Sequence, residues 1–127
     1  MGCGMKRILI VEDNEKNLKL VRDILQAKGF ETMDAVSAEE GLSLVKLHRF
    51  DLVLMDIQLP GMNGIEALAC LRADEATRDI PVVAVTASVT IQDQSQITRA
   101  GFDAFVSKPI SLKGFLETIN AFVGEPS

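Results

Sequence analysis

The sequence predicts an α/β fold, a doubly wound five-stranded parallel sheet of order 2-1-3-4-5. Three observations carry that expectation. Apolar, strand-like runs alternate five times with segments of helical period, the pattern of a mostly parallel sheet with helices on both faces. The runs at 8–11, 52–55 and 82–85 are apolar without polar alternation, as strands buried on both faces are. Acidic, hydroxyl and basic residues close the first, third, fourth and fifth runs, whereas the second, "FETMDA", is mixed and belongs at an edge.

Each element follows in order. The first run, 8–11, ends in Glu12 and Asp13. In the helical segment 14–28, Leu18, Val21 and Leu25 share one face and Leu20, Ile24 and Ala27 a second beside it. Lys16, Lys19, Arg22, Asp23 and Gln26 fill the far side. Two adjoining faces span about 180°, wider than the ~100° that core burial requires, so the surplus is either packing against the last helix or a docking edge. The second strand is expected at 30–34. The third, 52–55, runs straight into Asp56 and then a loop with Pro60, Gly61 and Gly64. The fourth, 82–85, ends in Thr86 and Ala87. The helix at 90–100 has only Ile91, Ile97 and Ala100 as apolar residues and should be held weakly. The fifth strand, 104–106, ends in Ser107 and Lys108. The last helix carries one stripe, Leu112, Phe115, Leu116, Ile119 and Phe122, with Ser111 as its N-cap.

The 127 residues make one ordinary domain, and 47% are apolar, enough for a core. A net charge of −5 argues against wrapping nucleic acid or adhering to an anionic membrane. No apolar run approaches the roughly 20 residues that span a bilayer, and no signal peptide is visible, so the expected location is the cytoplasm. Cys3 and Cys70 form neither a metal motif nor a disulfide framework. His48 and the methionines Met33, Met55 and Met62 read as surface, core or loop residues.

In a parallel sheet the C-terminal strand ends share one edge, and ligands bind there at the reversal of strand order. Glu12, Asp13, Asp56 and Lys108 would then share a crevice. Crowded carboxylates repel, and a hard divalent cation such as Mg²⁺ is the natural compensator, with Mn²⁺ as a substitute. Thr86, the N–H of Ala87 and Lys108 complete a receptor for a phosphoryl group. Asp56 sits where a carboxylate nucleophile belongs. Taken singly, each has a plainer role: Asp56 a turn-starting acid, Glu12 and Asp13 a solvated loop with Asp13 or Asn14 as helix cap, Thr86 a strand-end hydroxyl and Lys108 a surface lysine. The joint pattern reverses those readings.

The set "VEDN" (11–14), "LMDIQLPGMNG" (54–64), "VVAVTA" (82–87) and "SKPIS" (107–111) resembles the receiver domain of response regulators, the CheY-like family of two-component systems. The landmarks run in order over roughly 6–123. "EDNEKN", "MDIQLP" and "SKPIS" are most similar to a single-domain regulator of cell division. The resemblance implies a flavodoxin-like (βα)5 receiver fold over 6–123, with 1–5 a tail. It implies Asp56 as phosphoacceptor; Asp13, Glu12 through water and the carbonyl of Gln58 as metal ligands; and Thr86, Ala87 and Lys108 around the phosphoryl oxygens. Phe105 matches an aromatic switch position, Lys108–Pro109 a peptide bond usually cis, and Gly64 a small residue beside the site loop. Gln58 and Ser88 match positions flanking the hydrolytic water.

The function expected is a signalling switch rather than an enzyme in its own right. It would take phosphate from a phosphohistidine on a sensor histidine kinase or histidine phosphotransfer protein and signal by contact with a target protein, since no output domain follows Ser127. One alternative is a phosphatase working through an aspartyl phosphate, which typically needs a second acid where Gln58 stands. Others are a flavin binder, disfavoured by the acids after the first strand, and a receiver cut from a larger protein.

Overall fold

The computed structural model describes residues 6–57, 59, 61–87, 91–108 and 110–123. The expectations for Gln58, Ser88, Pro109 with its peptide bond, and the tail to position 5 with Cys3 fall outside those residues.

Five strands and five helices alternate: β1 (Arg7–Val11), α1 (Glu15–Ala27), β2 (Glu31–Ala35), α2 (Ala38–Leu47), β3 (Leu52–Asp56), α3 (Gly64–Ala73), β4 (Val82–Thr86), α4 (Ile91–Ala100), β5 (Ala104–Ser107) and α5 (Leu112–Val123). All pairings are parallel, in the order β2-β1-β3-β4-β5. The fold class and strand order are those the sequence predicts. Strand limits differ by a residue or two: β2 starts at Glu31 rather than Phe30, and β3 includes Asp56.

Side chains alternate across the sheet and build two cores. Leu9, Val11, Val53, Met55, Val82 and Ala84 face one way, toward α2, α3 and Ile97 of α4. Ile8, Ile10, Leu52, Leu54, Val83 and Val85 face the other, toward α1 and α5. Every residue of β3 and β4 is buried, which is why those runs show no alternation in sequence. Close approach shapes the α2 contact: a Cβ on Gly41 would lie 2.8 Å from Val11 Cγ2.

Helix ends follow local chemistry. Asn14, not Asp13, caps α1, its side chain accepting from the amides of Lys16 and Asn17. Asn63 and Glu66 form a reciprocal capping box at α3, a signal the sequence carries in their three-residue spacing. Ser111 stands at the N-cap position of α5, its carbonyl accepting from the amide of Phe115.

Of two helix faces, α1 answers a question the sequence left open and α5 needs correction. In α1, Leu18, Val21 and Leu25 are buried and Ile24 is half-buried, but Leu20 and Ala27 are exposed. The second face therefore does not enter the core as a unit. In α5, Leu112 is 55% exposed although it lies in phase with Phe115 and Ile119. It is the first residue of the helix, and Val123 is buried at the other end instead.

Candidate functional site

The site forms because four adjacent strands, β1, β3, β4 and β5, end in polar residues at one level of the sheet. Val11 pairs with Met55, Asp56 with Val85, and Thr86 with Ser107. Glu12, Asp56, Thr86 and Lys108 are therefore brought side by side by register alone. The apolar strands behind them fix the backbone and bury the polar ends: Glu12 is 4% exposed, Asp56 3% and Thr86 2%. Asp13 and Ala87, one position farther out, are exposed.

Lys108 lies between the acids. Its Nζ is 3.0 Å from Glu12 Oε1 and 3.1 Å from Asp56 Oδ2. Glu12 Oε2 also accepts from the amide of Asn14 at 3.3 Å, tying the crevice to the start of α1. Burial pushes the Glu12 carboxyl up to about 7; hydrogen bonding and repulsion from Asp56 add to the rise, and Lys108 opposes it. For Lys108, burial alone would lower the ammonium's pKa. The hydrogen bonds to and attraction from Glu12 and Asp56 outweigh burial and hold it above the ordinary 10.5. Two buried carboxylates thus share one cation, with the exposed Asp13 beside them, and Glu12 holds its proton far above the ordinary carboxylate range.

The donor set suits a hard divalent cation. Glu12, Asp13 and Asp56 can each present a carboxylate oxygen with all three atoms within 4.8 Å of one another. An all-oxygen, acid-rich cluster with one member exposed to water matches the preference of Mg²⁺, which keeps several waters. A second positive charge would offset the burial, and the lesser repulsion from Asp56, that raise the Glu12 pKa.

The loop after β3 is set by glycine. A Cβ on Gly64 would lie 2.5 Å from the carbonyl oxygen of Asp56 and 3.0 Å from Ile57 Cα, so a larger residue would push α3 off the site. The Gly64 amide instead donates to the Ile57 carbonyl at 3.1 Å. Gly61 takes φ +74°, a left-handed conformation that favours glycine.

Phe105 is half-buried on β5, paired with Ala84 and packed on the same core face. By the period of two, Thr86 falls on that face as well. Beside it, Phe105, Ser107, Ser111, Gly114, Phe115 and Thr118 line a cleft of about 280 Å³ between β5 and α5.

The structure brings Glu12, Asp13, Asp56, Thr86, Ala87 and Lys108 to one end of the sheet. The reading from sequence missed the Glu12–Lys108 ion pair, for nothing in the chain marks two residues so far apart as partners. It also missed the contrast between buried Glu12 and exposed Asp13, which only the path of β1 determines.

The model of the response regulator receiver domain matches residues 8–120. The polar-differentiation response regulator DivK of Brucella ovis is 48% identical over 120 residues, covering 94% of this chain and 98% of that protein. A CheY-like response regulator receiver domain protein from Methanospirillum hungatei superimposes with a TM-score of 0.82 at 34% identity, covering 93% of each chain. The receiver domain of a Pseudomonas aeruginosa sensor histidine kinase, with magnesium coordinated in its active-site cleft, gives a TM-score of 0.87 at 27% identity, covering 97% of this chain and all of that one.

Proposed function

The chain belongs to the response regulator receiver family and is a phosphorylation-dependent signalling switch of a two-component system; on that premise we propose that Asp56 is its phosphoacceptor. The observation that carries this reading is a carboxylate buried to 3% at the end of β3, with the Lys108 ammonium 3.1 Å away. A carboxylate oxygen of Asp56 attacks the phosphorus of a phosphohistidine in line. The P–O bond forms as the P–N bond breaks, and the imidazole leaves. Lys108, the Thr86 hydroxyl and the Ala87 N–H receive the phosphoryl oxygens. Lys108 must leave at least part of its contact with Asp56 to do so, and its second partner, Glu12, keeps it within the crevice during the exchange.

Glu12, Asp13 and Asp56, with the Gln58 carbonyl, would hold Mg²⁺ or Mn²⁺. Bound there, the ion supplies positive charge that neutralises carboxylate and phosphoryl oxygens together. The aspartyl phosphate is then hydrolysed by water, the chain catalysing only its own phosphorylation and dephosphorylation.

The donor is a sensor histidine kinase or histidine phosphotransfer protein. It docks beside the crevice on α1, where Leu20 is 43% exposed. The receiver unit spans 6–123. No helix among the described residues is long and apolar enough to cross a membrane, and a cytoplasmic location fits exchange with a histidine kinase. Kinship with DivK supports a role in polar differentiation. The signal leaves by contact with a target protein through α4, β5 and α5. Phosphate draws Thr86 toward it, and Phe105 on the same face turns into the space vacated. Without a hydroxyl, Phe105 acts by packing alone.

The test is to incubate the protein with acetyl phosphate and Mg²⁺, trap the acyl phosphate with hydroxylamine and map the adduct by mass spectrometry. Modification at Asp56, lost in Asp56→Asn, is expected. Labelling that persists unchanged in that variant removes Asp56 from the role.

A further inference from the structure

A second recess lies at the opposite end of the sheet. It is a cleft of about 400 Å³ where the end of α2, the start of β3 and the segment before β4 meet. Leu47, Ala76 and Ile80 give it apolar surface; Lys46, Arg49 and Asp51 give it charge. It stands about 13 Å from the phosphorylation site along β3, at roughly 3.3 Å per residue from Leu52 to Asp56.

Its charge runs against that of the molecule. The chain carries −5 overall, yet the lining has two cations against one acid. Asp51 is already engaged, its Oδ2 accepting from the Arg7 amide at 2.8 Å. The acids of the 74–79 segment do not line the cleft. Among the described residues, neither Lys46 nor Arg49 forms an ion pair. Lys46 has a structural use, since a cation in the last turn of α2 complements the helix dipole. That does not account for Arg49, beyond the helix, nor for Leu47, which is 75% exposed between the two cations. One wall is rigid: Phe50 is buried, and the His48 ring meets it edge-on at 6.4 Å between centroids.

We propose that this cleft docks an acidic segment of a partner protein, seating an apolar side chain against Leu47, Ala76 and Ile80 while its carboxylates meet Lys46 and Arg49. The complementarity is specific to an acidic partner, because a basic one would oppose both unpaired cations. The cleft shares no residue with the phosphorylation site or with the β5–α5 face. Docking there leaves Asp56 open to its phosphodonor, so the switch can be held in place while it is phosphorylated and read.

The probe is a short synthetic peptide of leucines flanked by glutamates, titrated into ¹⁵N-labelled full-length protein, with a lysine-for-glutamate peptide as control. Saturable amide shifts at 46–51, 76 and 80 are expected with the acidic peptide alone. Lys46→Glu with Arg49→Glu should weaken binding by about tenfold or more, with acetyl-phosphate labelling of Asp56 unchanged and the thermal melt lowered only by the few degrees that reversing a charge at the end of α2 costs. Absence of shifts at millimolar peptide, equal shifts with the basic peptide, or binding indifferent to the double reversal would each overturn the proposal.

Discussion

Two clusters at opposite ends of the sheet handle charge in opposite ways. At the C-terminal end, Glu12 and Asp56 are buried around Lys108, with Asp13 beside them, so three carboxylates face one cation. At the N-terminal end, Arg72 of α3 reaches across to Asp103 at 2.9 Å. Its guanidinium also donates to the carbonyls of Arg78 at 2.8 Å, Ile80 at 2.7 Å and Gly101 at 3.4 Å. Asp103 in turn accepts from the Val82 amide at 2.8 Å. That cluster is one cation to one anion, the guanidinium making four hydrogen bonds, and it ties α3, the start of β4 and the turn after α4 together. Charge in balance with its neighbours holds the fold; charge left in excess waits for something to bind.

If this contrast is right, substitutions at the two ends should separate function from stability. The largest effect is expected for Lys108→Ala, which removes the cation that pairs with both Glu12 and Asp56. Asp56 labelling by acetyl phosphate should slow by about 10²–10³-fold, the usual cost of losing one charge-stabilising donor. Arg72→Ala should do the reverse, lowering stability by about 0.5–1.5 kcal/mol through lost hydrogen bonds to the three carbonyls and the lost ion pair with Asp103. Its labelling rate should match the wild type. Denaturant melts and labelling time courses on both variants would blur the contrast if either moved both quantities alike.

A third expectation concerns pH. The folded chain holds the Glu12 proton up to about 7, well above the ordinary 4.5 of the unfolded chain. Protonation therefore favours the fold fully below about 4.5, and that contribution fades as pH climbs toward 7. Thermal melts in EDTA should show metal-free protein losing stability across that window, and Glu12→Gln should flatten the loss. A slope that is the same in both proteins would separate Glu12 from the effect.

The smallest effect on the fold is expected at α1. Leu20→Glu lies on an exposed position, and its melt should stay within about 0.5 kcal/mol of the wild type. Transfer from a cognate kinase should nonetheless slow. Normal transfer would take this edge of α1 out of the interface.

The sequence announced the strands because β3 and β4 are buried on both faces, which leaves no alternation to confuse them. It announced the acceptor crevice because parallel strands deliver their ends to one edge. What it could not show was pairing across the chain: Lys108 with Glu12, or Arg72 with Asp103, contacts that exist only once the register is set. Helix faces were legible where a neighbour covers them. Phe115 and Ile119 are buried as their spacing predicts, whereas Leu112 shares their phase and is exposed. Periodicity reports which side a residue is on, not whether anything lies against that side.

The excess of acid over base at the C-terminal end is tested most directly by the thermal melt of Asp56→Asn beside the wild type, each in EDTA and in Mg²⁺. Removing one carboxylate should relieve the crowding, so metal-free Asp56→Asn should melt higher than the wild type by roughly 4 °C, for about 1 kcal/mol. Mg²⁺ should raise the wild type and leave the variant nearly unmoved. A variant that melts lower in EDTA, or that gains as much from Mg²⁺ as the wild type does, would contradict the account.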